Sequence, residues 1–269
     1  MAILTHGSDL TLAPTVRPLV QQHHWSIRTA VERLAAEGFT SVQLDAALHG
    51  IRPRELTRRA RRDLLALLSR ANVRLAGLDL FLPRKHYVQN AYLDRATAAT
   101  VAAIELAADL GRVPVSVGLP VASIEPSIKA ALVQCADGRG VTLAVHAEDQ
   151  LDALVQWITE VDLPVLGAGL DPATVLSLHS DSQLTDPAAA AHKLAKRLAV
   201  ARLCDSNLAL GRARCPVGQG DLDVVGYRVA MDLTGGRQGP VVLDLSGLES
   251  PLIAATIGKK TWEHAAFSI

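Results

Sequence analysis

Eight short β-forming runs, each followed by a longer stretch of helical periodicity, recur along the 269 residues. They fall at 8–14, 40–46, 73–80, 113–119, 140–146, 163–170, 199–205 and 239–245. Such alternation builds a parallel sheet, because a strand can rejoin a parallel neighbour only through a crossover that is usually a helix. Eight repeats in this length predict an α/β fold in which the sheet closes on itself, a single (β/α)8 TIM barrel spanning residues 1–269. No linker, low-complexity tract or internal repeat divides the chain.

The helical stretches carry their own punctuation. Ser26 is placed to cap SIRTAVERLAAEG, which stops at Gly38, and DRATAATVAAIELAADLG stops at Gly111. In RPRELTRRARRDLLALLSRANV, Leu64, Leu65, Leu67 and Leu68 face inward and the arginines face solvent. Two segments are less regular: 175–192 reads as a long loop before a helix, and 208–223 as a Gly-rich loop after the seventh strand. The glycines of VGQGD read as a tight turn.

With 27 basic and 27 acidic residues and a pI near 7.1, the chain has no global field to attract nucleic acid or an anionic membrane surface. Its longest apolar runs fall short of the roughly 20 residues a membrane helix needs. Cys135, Cys204 and Cys215 are odd in number and lack metal-binding spacing, and MAILTHGSDL lacks a basic segment followed by an apolar core, which predicts a reduced, cytoplasmic protein. No GxSxG elbow marks a serine hydrolase.

In a barrel of this kind the chemistry sits at the C-terminal ends of the strands. Those ends carry Asp45; Asp79, followed by Arg84, Lys85 and His86; His146 and Glu148; Asp171; Arg202 and Asp205; and Asp244. Asp171 ends the apolar run LPVLGAGL, and a carboxylate there must meet water, a cation or a basic side chain. His146 is the best general-base candidate, since its ordinary pKa lies near neutrality. Glu148 and Asp149 are expected to open the next helix. His23, His24 and Trp25 could stand at the mouth of the pocket.

The chain resembles the xylose isomerase-like TIM barrels, which include sugar isomerases, sugar epimerases, inosose dehydratases and endonuclease IV. The likeness rests on SIRTAVERLAAEGFTSVQLD, DRATAATVAAIELAADLGRVPVSV, LDPAT, ARLCD and PVGQGDLD. It implies sugar isomerase or epimerase chemistry in carbohydrate metabolism, with a divalent ion (Mn, Mg, Zn or Co) held by a Glu, an Asp, two His and a final Glu. Here His146 stands for the first Glu, Asp171 matches, Thr174 and Arg202 replace the two His, and Asp244 shortens the last Glu.

A guanidinium does not give up its proton and would repel a cation sharing its site. The expectation is therefore a metal-free, cofactor-free site in which Arg202 lies between Asp171 and Asp244, with His146, Asp171, Arg202 and Asp244 as the catalytic set. Lys85, His86 and Asp205 are the expected substrate contacts. The ligand is a sugar, polyol or sugar phosphate, nucleic acid and membrane are not partners, and a homo-oligomer is compatible with this reading. The alternative is a non-catalytic barrel serving as a small-molecule binder or partner subunit. The endonuclease reading lacks both a multi-metal His/Glu cluster and a basic groove.

Overall fold

The computed structural model describes residues 10–178, 186–211, 213–234 and 239–267. Its strands are β1 (Leu12–Pro14), β2 (Ser41–Asp45), β3 (Arg74–Leu80), β4 (Val115–Gly118), β5 (Leu143–His146), β6 (Leu166–Leu170), β7 (Leu198–Leu203), β8 (Asp205–Asn207), β9 (Ala213–Cys215) and β10 (Val241–Leu243). The helices are α1 (Arg17–His23), α2 (Ile27–Ala36), α3 (Arg58–Arg70), α4 (Asn90–Asp109), α5 (Pro126–Arg139), α6 (Leu151–Val161), α7 (Pro172–Leu176), α8 (Pro187–Leu194), α9 (Val224–Leu233) and α10 (Pro251–Phe267).

Eight of the strands form one parallel sheet in the order β1-β10-β7-β6-β5-β4-β3-β2. A single parallel bridge between Thr15 and Gln43, with Val16 N–H donating to the Gln43 carbonyl at 3.0 Å, joins its two edges. The expected barrel is therefore present, and each of the eight strand runs overlaps one of its strands. The first is shorter than expected: it begins at Leu12, and residues 8 and 9 lie outside the described residues.

The helices follow from local chemistry. Ser26 accepts the Thr29 N–H at 3.0 Å and starts α2. Thr57 does the same for α3, whose Leu64, Leu67 and Leu68 are buried; Leu65 is only partly so. Asp186 caps α8, while residues 179–185 of the expected loop lie outside the described residues. Among the described residues, no helix is long and apolar enough to cross a membrane.

The segment after β7 departs from expectation. The expected Gly-rich loop at 208–223 contains a strand, β9, which pairs antiparallel with β8 just before it, in the register Asp205 to Cys215 and Asn207 to Ala213. The strand run at 199–205 breaks after Leu203, and Asp205 already belongs to this hairpin. The reason is the Asp205 carboxylate. It accepts backbone N–H groups from Ser206, Gly218, Gly220 and Leu222 at 2.8–3.0 Å and so gathers the loop about one buried charge.

The core lies mainly between the sheet and its helices, while the barrel interior is narrower and lined by smaller groups such as Ala144, Val200 and Val242. Trp262 on α10 ties the last helix to the first strand: it is 1% exposed and its Nε1 donates to the Leu10 carbonyl at 2.8 Å, with the Arg228 guanidinium 4.7 Å from its ring. Trp262→Ala is expected to destabilise the fold by about 3–5 kcal/mol, as the loss of a large buried aromatic does elsewhere, measured by urea unfolding.

Candidate functional site

Period-two alternation aims one residue set of each strand into the barrel. At the C-terminal end that set includes Gln43 and Asp45 of β2, Asp79 of β3, His146 of β5, Arg202 of β7, and Asp171 and Asp244 just beyond β6 and β10. All seven are buried.

Arg202 organises them. Its Nη1 and Nη2 donate to Asp79 Oδ1 at 2.9 Å and Oδ2 at 3.2 Å, and Nη2 lies 3.1 Å from Asp244 Oδ2. In the sheet order β7 and β3 stand four places apart, so the guanidinium crosses the barrel to reach its bidentate partner. Gln43 Nε2 donates to the same Asp79 Oδ1 at 2.9 Å, and the Phe81 ring centroid lies 5.1 Å from the guanidinium carbon.

The expectation that Arg202 sits between Asp171 and Asp244 is therefore half corrected. Asp244 is its neighbour, but its main partner is Asp79, and Asp171 is hydrogen-bonded to another arginine. Arg214, on β9, donates to Asp171 Oδ2 and Asp244 Oδ2, both at 2.8 Å. The hairpin held by Asp205 carries it there. Asp171 Oδ1 also receives the Thr174 N–H that begins α7 and the Cys204 thiol at 3.1 Å. The carboxylate that ends the apolar run thus meets a guanidinium, a helix start and a thiol.

These partners set the charges. Burial pushes the Asp79 carboxyl up, and Arg202 and Gln43 only partly offset it, so it ends above the ordinary range. Burial also pushes Asp244 up, but Arg202, Arg214 and the Ser246 amide outweigh it and hold it well below that range. Asp171 is likewise lowered, since Arg214 and Arg202 overcome its burial and the nearby Asp244 charge. Burial, with Asp171 beside it, pushes the Cys204 thiol well up, so it stays protonated.

His146 has a separate neighbourhood. Its Nδ1 lies 3.0 Å from Glu148 Oε1, its Nε2 has no hydrogen-bond partner, and the Phe81 ring meets it edge-on at a centroid distance of 5.2 Å. Glu148 and Asp149 open a short 3-10 turn, Glu148–Gln150, that leads into α6, as expected; Glu148 is also buried, its same Oε1 accepting the Asp171 N–H at 2.9 Å while Oε2 lies 3.6 Å from Arg84. Gly169 makes room for the imidazole: a Cβ there would lie 2.1 Å from Nε2.

The expected substrate contacts lie elsewhere. Asp205 is 1% exposed, and the loop amides occupy its carboxylate oxygens. Lys85 is exposed, and His86 stacks on Tyr92 at 4.4 Å; neither lines the cavity at the barrel mouth. It is Arg84 that turns inward, to Glu148, Asp149 and the His146 carbonyl. His23 stacks on Trp25, and neither they nor His24 line that cavity.

The cavity measures about 340 Å³. Asp79, Arg202 and Asp244 line its inner wall, and Arg17, Gln21 and Asp45 line its rim, with Phe81 exposed beside them. Arg17 is paired with Asp45 at 2.7 Å. Gln43, Arg17 and Arg214 were not singled out from the sequence, and Asp79, named at its strand end, was left out of the catalytic set. Period-two alternation at 41, 43 and 45 was the available signal for Gln43, and a strand-end position for Asp79; nothing local marked Arg214.

A divalent ion does not fit these donors. The Asp171 and Asp244 oxygens are engaged by guanidinium, thiol or amide hydrogens, and His146 points its two nitrogens at Glu148 and over Gly169. Among the described residues, no three His, Cys, Asp or Glu side chains are grouped to hold one.

No protein-family model matches the chain, and no curated protein matches it. Solved structures do. A D-tagatose 3-epimerase-like protein superposes with a TM-score of 0.72 at 15% identity, over 96% of this chain and 99% of its own. A xylose isomerase domain protein from Planctomyces limnophilus gives 0.71 at 18% identity, over 89% and 92%. A xylose isomerase-like TIM barrel protein from Mycobacterium smegmatis, solved in complex with magnesium, gives 0.70 at 15% identity, over 97% of each chain. The fold is thus that of the xylose isomerase-like TIM barrels.

Arg202→Ala leaves Asp79 and Asp244 buried around a missing cation and is expected to cost about 3–5 kcal/mol, read from thermal or urea unfolding. The acid limb gives a second readout. A carboxylate held below its unfolded value contributes stability that is complete above about pH 4 and is lost as the pH falls through the lowered folded value. Asp79, which is raised, has the opposite sign: its contribution is lost as the pH rises through its folded value. Asp244→Asn is therefore expected to lose less stability than wild type between about pH 4 and pH 2.

Proposed function

We propose that this chain binds a sugar, polyol or sugar phosphate at the C-terminal mouth and shifts a proton along it in the manner of an isomerase or epimerase, with Arg202 in the role that relatives give to a metal ion. The observation that carries this reading is the inner wall of the mouth cavity. A buried guanidinium and a carboxyl of raised proton affinity, Arg202 and Asp79, border the same 340 Å³ space. Its size suits one small ligand. Solved neighbours include a D-psicose 3-epimerase from Clostridium cellulolyticum H10 determined with D-tagatose and an L-ribulose 3-epimerase, and these support the substrate class.

The chemistry needs no oxidant. A base removes the proton from the carbon next to a carbonyl, the electron pair moves onto the carbonyl oxygen, and the resulting enediolate takes a proton back on the neighbouring carbon or the opposite face. Asp79 is the proton carrier in this reading, since a raised pKa brings a carboxyl nearer the operating pH. Arg202, fixed before the reaction by Asp79 and Asp244, stabilises the developing oxyanion. Asp244 stays ionised and anchors both arginines. His146, oriented by Glu148, does not line this cavity, and the Phe81 ring that does meets it edge-on, so no proton-transfer step is assigned to it.

A non-catalytic binder is the second reading, favoured by the saturation of the cluster: both oxygens of Asp79, Asp171 and Asp244 have protein donors. Incubation with ketoses, aldoses and their phosphates in D2O separates the two. Proton NMR is expected to show deuterium entering at the carbon beside the carbonyl of at least one panel member. That exchange should survive EDTA and fall by about 10²–10⁴-fold in Asp79→Asn. Ligand-induced thermal stabilisation without exchange would instead establish the binder.

A further inference from the structure

Aromatic side chains are few in this protein, with three each of Phe, Trp and Tyr, and Phe39, Tyr87, Tyr227, Trp157 and Trp262 are buried in the core. Phe81 is not. It is 43% exposed and borders the cavity at the C-terminal mouth alongside Asp79, Arg202 and Asp244. Tyr92 is exposed to a similar degree, but His86 stacks on its ring at 4.4 Å and the Arg95 guanidinium carbon lies 5.4 Å from its centroid.

The exposed Phe81 ring is held from several sides. It follows directly on the last residue of β3, the Arg202 guanidinium carbon lies 5.1 Å from its centroid, and the His146 ring meets it at 5.2 Å with 70° between the planes. On the β4 side it lies over Gly118, where a Cβ would sit 3.5 Å from its Cδ1. The segment that follows is clasped to the turn after β5. Arg84 Nη2 donates to the His146 carbonyl at 3.0 Å and lies 3.6 Å from Glu148 Oε2, and Nη1 pairs with Asp149. Tyr87, which is buried, shares a hydrogen bond of 2.8 Å with Thr100 on α4. A side chain whose position is fixed before a ligand arrives loses little freedom on binding it.

The charged groups of the cavity wall already have partners. Among the described residues, two guanidinium groups line it, Arg17 and Arg202, against the three carboxyl groups of Asp45, Asp79 and Asp244. Arg17 is paired with Asp45, and Arg202 with Asp79 and Asp244. A phosphate ester would add negative charge to a wall where carboxyl groups outnumber cations, and would have to displace one of them to gain a guanidinium. An uncharged polyol meets no such penalty, since its hydroxyls can donate to the lone pairs a carboxylate keeps free and accept from the arginines. Its C–H groups need an apolar counter-surface. The Phe81 ring supplies one, with a negative face that suits the weakly positive C–H hydrogens.

We propose that the ligand of the C-terminal mouth is an uncharged polyol and not a phosphate ester, and that Phe81 selects it by packing its ring against the ligand's C–H face while the hydroxyls meet the Arg202 side. This assignment rests on the reading of that mouth as a sugar site.

The test is a proton NMR titration of D-fructose, D-tagatose and D-fructose 6-phosphate with the full chain, as wild type, Phe81→Leu and Phe81→Tyr. With wild type, the C–H protons of at least one ketose are expected to move upfield under the ring current of Phe81, with a Kd that added salt does not change. The phosphate is expected to bind at least about tenfold more weakly than D-fructose. Phe81→Leu keeps an apolar side chain but removes the ring. It is expected to abolish the upfield displacement, which a merely structural role would not produce, and to raise Kd about tenfold, whereas Phe81→Tyr restores both. Both variants are expected to unfold at the wild-type temperature, because the position is exposed. A ketose that binds Phe81→Leu as tightly as wild type and with the same shifts, or a phosphate ester that binds as tightly as its parent sugar, would overturn this proposal and leave the proton-shifting function standing. No binding of any of the three by wild type would overturn both. Ring-shifted binding without deuterium exchange would support Phe81 as the ligand contact and remove the catalytic reading.

Discussion

A guanidinium buried inside a barrel is the constraint on which the upper half of this structure depends. Removing such a charge from water costs several kcal/mol unless carboxylates replace the lost hydration. Arg202 meets that demand by crossing the lumen from β7 to Asp79 on β3 and by resting against Asp244 beyond β10. β3, on the far side of the barrel, is thereby joined through one side chain to β7 and to the end of its neighbour β10. The same arrangement leaves the carboxylates unlike one another: Asp79, with one cation, is raised, and Asp244, between two, is lowered. A difference of that kind is what acid–base chemistry requires of a pair of carboxyl groups.

The second arginine depends on a loop rather than on the sheet. Asp205 holds four backbone amides, the loop folds into the β8–β9 hairpin, and the hairpin returns Arg214 to Asp171 and Asp244. Without that hairpin Asp171 would have the Thr174 amide and the Cys204 thiol but no cation beside its Oδ2. Glu148 completes the ring from the other side. It bonds His146 and the Asp171 amide through one oxygen, so the imidazole and the start of α7 are positioned by the same carboxylate.

Small residues inside the barrel make room for its polar side chains. Gly169 admits the His146 ring, and Gly77 leaves space for the Gln43 amide. Gln43 consequently lines the cavity at the C-terminal mouth, with its nitrogen on Asp79 and its oxygen unpartnered. A larger residue at either glycine would clash with the neighbouring side chain before it met solvent, which is why packing and chemistry are inseparable along this axis.

The strand count, the cap at Ser26, and the inward leucines of α3 are local properties, written in spacings of two and of three to four residues, and they determined the barrel from the sequence by itself. The positions of Asp171, Arg202 and Asp244 at strand ends followed from the same periodicity. Which carboxylate each arginine takes did not. Arg202 is 123 residues from Asp79, and Arg214 is 43 from Asp171. Pairings at such distances depend on the closed sheet and on a hairpin gathered around Asp205, neither of which leaves a mark in the neighbouring sequence. Glu148 illustrates the same limit: the sequence placed it at the start of a helix, where a surface carboxylate is ordinary, and only the approach of β6 turned it into the buried partner of His146.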